Sequence, residues 1–186
     1  PVLADDVWIW GGSMAEIEHT LRVGIRAEHP DTRTSMMPAF GRDNLLTPAQ
    51  IGDVTEFVIS ISAANTRLDA NSGAAARGAV TYQEQCAACH GVTGAGDRAF
   101  GAPSLVDDLW LYGGSREEIR RQIELGRGGV MPSWEARFDP GTLRALAYYV
   151  HEMGGGEPDA PPPPPATTDA AAPAPAQNAP AAAPLR

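Results

Sequence analysis

The chain carries one series of motifs twice, and this repetition constrains its fold more than any other feature. Asp5-Asp6-Val7-Trp8-Ile9-Trp10-Gly11-Gly12-Ser13 aligns with Asp107-Asp108-Leu109-Trp110-Leu111-Tyr112-Gly113-Gly114-Ser115. Each copy then pairs a Ser with a Glu, Ser13 with Glu16 and Ser115 with Glu118, the capping-box pattern that satisfies free backbone donors at a helix start. Ile17 and Leu21 in one copy, Ile119 and Ile123 in the other, recur at the spacing of one helix face, and Gly24 and Gly126 stop the helices. Met37-Pro38-Ala39-Phe40 and Met131-Pro132-Ser133-Trp134 follow, then Thr47-Pro48 and Asp139-Pro140 as N-cap and first helical residue. The final helices align Ile51, Val54 and Val58 with Leu143, Leu146 and Val150, and the second closes at Gly154-Gly155-Gly156. No strand-like alternation appears, so the expectation is an all-α chain built from two tandem copies of one small helical domain.

Composition sets the boundaries. From Glu157 to Arg186 the chain holds ten Pro and eleven Ala and almost nothing that could form a core, so residues 157–186 read as a disordered Pro/Ala-rich C-terminal tail. The organisation read from the sequence is a truncated first domain at 1–64, a linker at 65–72, a second domain at 73–156, and the tail. The net charge of −9, with no basic tract, argues against nucleic acid and anionic membrane surfaces as partners. No run of apolar residues is long enough to span a bilayer, and the start Pro1-Val2-Leu3 carries no charged leader, which reads as a fragment or processed product.

The 2 cysteines stand together in Cys86-Ala87-Ala88-Cys89-His90, and C-x-x-C-H is the attachment signature of c-type haem. Two thiols on one helical turn each form a thioether to a haem vinyl group, and the adjacent imidazole becomes the proximal ligand of the iron. A thioredoxin-like redox pair would follow a strand in a βαβ unit, and half of a zinc site would need a second pair of Cys or His. Neither context is present in the sequence. The first copy enters at the Trp8 segment, so its own attachment motif is expected upstream of Pro1.

Met131 lies in a Gly/Pro loop after the second capped helix, at a separation from His90 that suits the sixth ligand of one small haem domain; a Met in such a loop also serves as core filler. Met37, which aligns with Met131 where Met36 does not, is the axial candidate of the first copy. His/Met ligation fills both axial positions and favours electron transfer over oxygen chemistry.

Trp110-Leu111-Tyr112-Gly113-Gly114, Gly101-Ala102-Pro103, Gly129-Val130-Met131-Pro132 and Tyr149-Val150-His151, with the fainter first copy ahead of them, resemble the dihaem c-type subunit III of cbb3-type cytochrome c oxidases. The likeness spans about residues 1–156 and omits the tail. It implies two tandem cytochrome c-like domains, the first N-terminally truncated, with one haem c attached in this chain and two in an intact parent. It also implies an N-terminal membrane helix missing here, a place on the periplasmic side of the bacterial inner membrane, and partners comprising the catalytic and monohaem subunits and a donor cytochrome c. In such tandem domains the Met ligands can be exchanged between haems, which would give Met37 to the haem of Cys86 and Cys89; spacing alone favours Met131.

Several residues carry two readings. Pro103 either offers a carbonyl to the His90 imidazole or is a plain loop proline. Trp110 and Tyr112 either border the haem or are ordinary core aromatics, and Arg127 either pairs with a haem propionate or is a solvated residue at a helix C-terminus. His19, His29 and His151 are not expected to be ligands, and the acidic pairs Asp107-Asp108 and Glu117-Glu118 read as capping and dipole partners, with no catalytic residues expected. A cytochrome subunit of a periplasmic dehydrogenase is the alternative function, and a dihaem peroxidase, which needs an open axial position, a further one.

Overall fold

The computed structural model describes residues 2–63 and 68–159, which form six α-helices and no strands. They are α1 (Met14–Val23), α2 (Pro48–Ile61), α3 (Ser72–Gln85), α4 (Ala87–His90), α5 (Arg116–Leu125) and α6 (Pro140–Met153). Both expected capping boxes form: the Glu16 and Glu118 backbone N–H groups donate to the Ser13 and Ser115 hydroxyls at 3.3 Å, and each glutamate carboxylate accepts from its serine N–H. This explains the repeated Gly-Gly. Gly11 and Gly113 adopt φ of 96° and 94°, where a Cβ would collide with the capping glutamate. Gly12 and Gly114 lie beneath the indoles of Trp8 and Trp110, 2.3 and 2.5 Å from where their Cβ atoms would stand.

The two copies do not close on themselves. Helix α2 packs against α3 and α5, whereas α1 packs against α6, so each copy places its second half on the first half of the other. The loops show the same crossing. Gly126, left-handed at the end of α5, abuts the Met37 carbonyl, and Gly24 at the end of α1 abuts the Met131 carbonyl; a Cβ at either glycine would lie 2.4 Å from that oxygen. Phe40 donates its N–H to the Ile123 carbonyl and Trp134 to the Leu21 carbonyl, both at 3.1 Å. Chain spacing favours each loop returning to its own helix, but the loops are alike and the helix ends are alike, so sequence similarity cannot tell a home partner from an exchanged one.

The principal core therefore mixes the copies. Phe40, Leu46, Ile51, Val54, Val58 and Ile59 from the first pack with Ile119 and Ile123 from the second. A fully buried Ile such as Ile51 or Ile59 contributes roughly 1.5–3 kcal/mol through removal of apolar surface from water. Helices α2 and α3 cross at backbone contact, since a Cβ on Gly78 would lie 2.0 Å from the Asp53 carbonyl oxygen. Ion pairs border this crossing: Arg77 binds both Asp53 oxygens, and Arg116 binds Glu56, which also accepts the Asn71 N–H ahead of α3.

The chain also stays anchored beyond α6. Glu157 exchanges hydrogen bonds with the Gly12 backbone and takes two from Arg98, and Asp159 accepts the Ala15 N–H at 3.3 Å. Glu157 and Asp159 of the expected tail are thus held by polar contacts that apolar content alone does not reveal. Residues 160–186, residue 64 at the end of the expected first domain and 65–67 of the expected linker lie outside the described residues.

Two measurements check this packing. Gly126→Ala is expected to lose about 2 kcal/mol or more in urea denaturation through the strained φ and the clash with Met37, while Gly52→Ala, in open space within α2, gains roughly 0.5–1 kcal/mol. Arg116 and Arg98 hold the carboxyls of Glu56 and Glu157 below the ordinary glutamate value. Their contribution is complete above that value and drains away as pH falls through it toward the lower folded value, so Glu56→Gln should flatten the acid limb of a stability profile.

Candidate haem-binding site

Helix α3 ends at Cys86, and the single turn α4 carries Cys89 and His90, with Cys89 and His90 both donating backbone N–H groups to the Cys86 carbonyl at 3.1 and 3.0 Å. Gly91 stops the turn at φ 76°, and the buried Tyr82 hydroxyl donates to the Gly91 carbonyl at 2.7 Å. Burial pushes the Tyr82 phenol up to about 12, so it remains a donor through the physiological range. The C-x-x-C-H segment is thereby tied to the helix that leads into it.

The His90 Nδ1 lies 3.0 Å from the Pro103 carbonyl. An Nδ1–H donated there fixes the ring and leaves Nε2 with its lone pair free for a metal. Burial lowers the His90 pKa, against the opposing pull of the carbonyl, and keeps the imidazole neutral. Burial, with a smaller contribution from Cys89, pushes the Cys86 thiol up to about 11. A catalytic redox pair needs a depressed thiol pKa, the opposite of what burial imposes on Cys86. Among the described residues no group of three or more His, Cys, Asp and Glu is placed to hold a metal ion.

Cys86, Cys89, His90 and Met37 line one cavity, walled by apolar residues that include Phe40, Val54 and Val58 of the first copy and Ile119 and Ile123 of the second. The Met37 sulfur lies 4.0 Å from Gln122 Nε2. Met131 is not in this lining; its backbone exchanges hydrogen bonds with Ile25 at 2.9 and 3.0 Å on the α1 side of the molecule. The geometry thus brings Met37, and not Met131, together with the attachment motif.

Trp110, Tyr112 and Arg127 line the same cavity. Arg127 donates Nε to Gln122 and lies 4.9 Å over the Tyr112 ring, while its Nη2 is buried without a partner. The Trp110 indole N–H is buried and unpartnered as well. An unsatisfied buried donor costs roughly 1–3 kcal/mol, more for a charged group, so both donors suit an anionic acceptor within the cavity. Thiols for thioethers, a neutral imidazole, a thioether sulfur, apolar walls and two free donors for carboxylates together fit a c-type haem.

Sequence reasoning missed Arg26. It lines the cavity from the segment between Gly24 and Met37, which is longer in the first copy, and donates to the Gly129 and Ser35 carbonyls at 2.6 and 2.8 Å. Its aligned position in the second copy is Gly128, so the repeat offered no signal for it. The remaining histidines lie elsewhere: His29 with Glu135, His151 with the Glu157 carbonyl, and His19 beside Arg22.

An all-helical chain that presents C-x-x-C-H to such a cavity is of the c-type cytochrome class. Residues 73–150 match the family model described as cytochrome c oxidase, cbb3-type, subunit III. The chain is 47% identical over 157 residues to the cbb3-type cytochrome c oxidase subunit FixP of Bradyrhizobium sp. (strain ORS 278), covering 84% of this chain and 53% of that protein. It is 46% identical over 164 residues to the CcoP subunit of Azospirillum brasilense, covering 84% of this chain and 54% of the relative. The chain belongs to the family of cbb3-type cytochrome c oxidase subunit III, and it spans about half the length of the curated relatives it matches. No described helix is long and apolar enough to cross a membrane.

Cys86 chemistry provides a check on the buried motif. In the haem-free chain, alkylation of Cys86 by iodoacetamide, followed by site-resolved mass spectrometry, should rise about tenfold per pH unit toward pH 11, and urea should abolish the lag by restoring an ordinary thiol.

Proposed function

We propose that this chain passes electrons within a cbb3-type oxidase through a haem c attached at Cys86 and Cys89, with His90 and Met37 as axial ligands. The observation that supports Met37 is its place in the cavity beside Cys86, Cys89 and His90, from which Met131 is absent. When bound, the haem supplies a reversible one-electron couple. The protein residues set its conditions: the Pro103 carbonyl orients His90 and raises its basicity, Arg127 would offset the charge of a haem carboxylate and the Trp110 indole N–H would donate to one, and the apolar walls contributed by both copies exclude water. His90 and Met37 would hold the iron from two side chains, which would suit electron transfer rather than peroxidase chemistry.

In the longer protein, Met131 serves a second haem attached ahead of residue 1, on the α1 and α6 side. The haems lie on the periplasmic side of the bacterial inner membrane, take electrons from a donor cytochrome c and pass them toward the catalytic subunit that reduces oxygen, alongside the monohaem subunit. This assembly is proposed from the names of the relatives and from the matched segment.

Expression with haem-attachment machinery tests the ligand assignment. Met37→Ala in this chain should abolish the weak near-infrared Met–iron band and lower the midpoint potential, because a soft thioether donor favours reduced iron. Met131→Ala should change neither. The opposite pattern would return the ligand to Met131, and no effect from either would remove His/Met ligation.

A further inference from the structure

Arg127 has a spatial counterpart that alignment hides. In the second copy three groups meet: the Tyr112 ring under the Arg127 guanidinium at 4.9 Å, Gln122 accepting from Arg127 Nε at 3.1 Å, and the unpartnered indole N–H of Trp110 nearby on the cavity wall. The aligned residues of the first copy are Trp10, Thr20 and Trp8. There the Arg33 guanidinium lies 5.0 Å over the Trp10 ring, Arg33 Nε donates to the Thr20 hydroxyl at 3.1 Å, and the Trp8 indole N–H is again buried without a partner.

The same arrangement is built twice from different chain positions. Arg127 follows directly on the Gly126 cap of α5. At the aligned position the first copy has Ile25, whose backbone is engaged by Met131, and the cation arrives instead from Arg33 in the longer segment that follows Gly24. A chance surface arginine would not reproduce both an aromatic platform and a helix-borne acceptor for Nε at aligned positions. Arg33, Trp10 and His19 border an open cavity on the α1 side. Asp31 lines the same cavity, and Glu16, whose charge acts on Arg33, is already engaged by the Ser13 hydroxyl and N–H in the capping box.

We propose that Arg33 and the Trp8 indole N–H form the carboxylate-binding site for the haem of the first copy, the counterpart of Arg127 and Trp110 in the second. The ligand class is a propionate carboxylate: a guanidinium held over an aromatic ring keeps its charge and a fixed set of donors, and the indole adds a neutral one. This rests on the two-haem reading of the longer protein given above.

The test uses that longer protein with both haems attached, titrated by spectroelectrochemistry. The Cys86→Ala/Cys89→Ala variant, which keeps only the first haem, assigns the two waves. Arg33→Gln should shift the first haem alone, changing its oxidised-to-reduced ratio at fixed potential at least about threefold toward oxidised, roughly 30 mV at 59 mV per tenfold for one electron. Uncompensated carboxylate charge favours the oxidised iron, so the potential falls. Arg127→Gln should move only the Cys86–Cys89 haem in the same direction, and Arg33→Lys, which keeps the charge, should recover most of the first shift. Both waves unmoved in Arg33→Gln with two haems present, or a shift confined to the Cys86–Cys89 haem, would overturn the assignment. A mass of one haem per longer chain would instead overturn the two-haem reading on which it stands.

Discussion

The docking of each Met-Pro loop against a glycine at the end of the other copy's capped helix is the contact on which the molecule depends. Gly126 makes room for the Met37 carbonyl and Gly24 for the Met131 carbonyl, at distances that no side-chain-bearing residue would allow. The loop leads directly into the helix that follows, so this contact commits α2 to α3 and α5, and α6 to α1. Once the loops cross, the principal core must be shared.

The shared interior has a chemical consequence. The turn that carries Cys86, Cys89 and His90 faces walls contributed by Phe40, Val54 and Val58 from the opposite copy, and Met37 reaches the same space. Burial there raises the Cys86 thiol, lowers the His90 imidazole pKa and leaves the Trp110 and Arg127 donors without protein partners. Low polarity alone would penalise those donors, and a carboxylated cofactor would give them partners. The two copies are therefore coupled at the level of the site, since a residue of the first copy can alter what the second copy holds.

Beyond the core, polar contacts tie the assembly together. Glu56 of α2 joins Arg116 of α5 to the Asn71 cap of α3, and Glu157 joins Arg98, in the loop that leads to Pro103, to the Gly12 backbone of the first copy. Both carboxylates are pulled below their ordinary range by the arginine they bind. Partly exposed pairs of this kind contribute modestly to stability, and their larger effect is to fix which segments adjoin the haem-side loop.

Local structure was legible in the residues themselves. Capping boxes, Pro after the N-cap, glycine stops and four-residue apolar spacing are short-range chemistry, so all the repeated helices and the C-x-x-C-H turn follow from sequence. So does the Trp-x-x-Gly-Gly series, once Gly11 and Gly12 are seen to make room for a glutamate and an indole. Which Met joins His90 was not legible, because Met37 and Met131 occupy equivalent loops and a duplicated chain offers each two equivalent docking ends. Arg26 and Arg33 escaped for a related reason: they come from a segment that is longer in the first copy, where alignment offers Arg26 only Gly128 and Arg33 no partner, and only the path of that segment in space brings them to their places. Sequence by itself determined what each repeat can form; the choice between closing at home and crossing over belongs to tertiary packing, where long-range contacts discriminate between sites that are chemically the same.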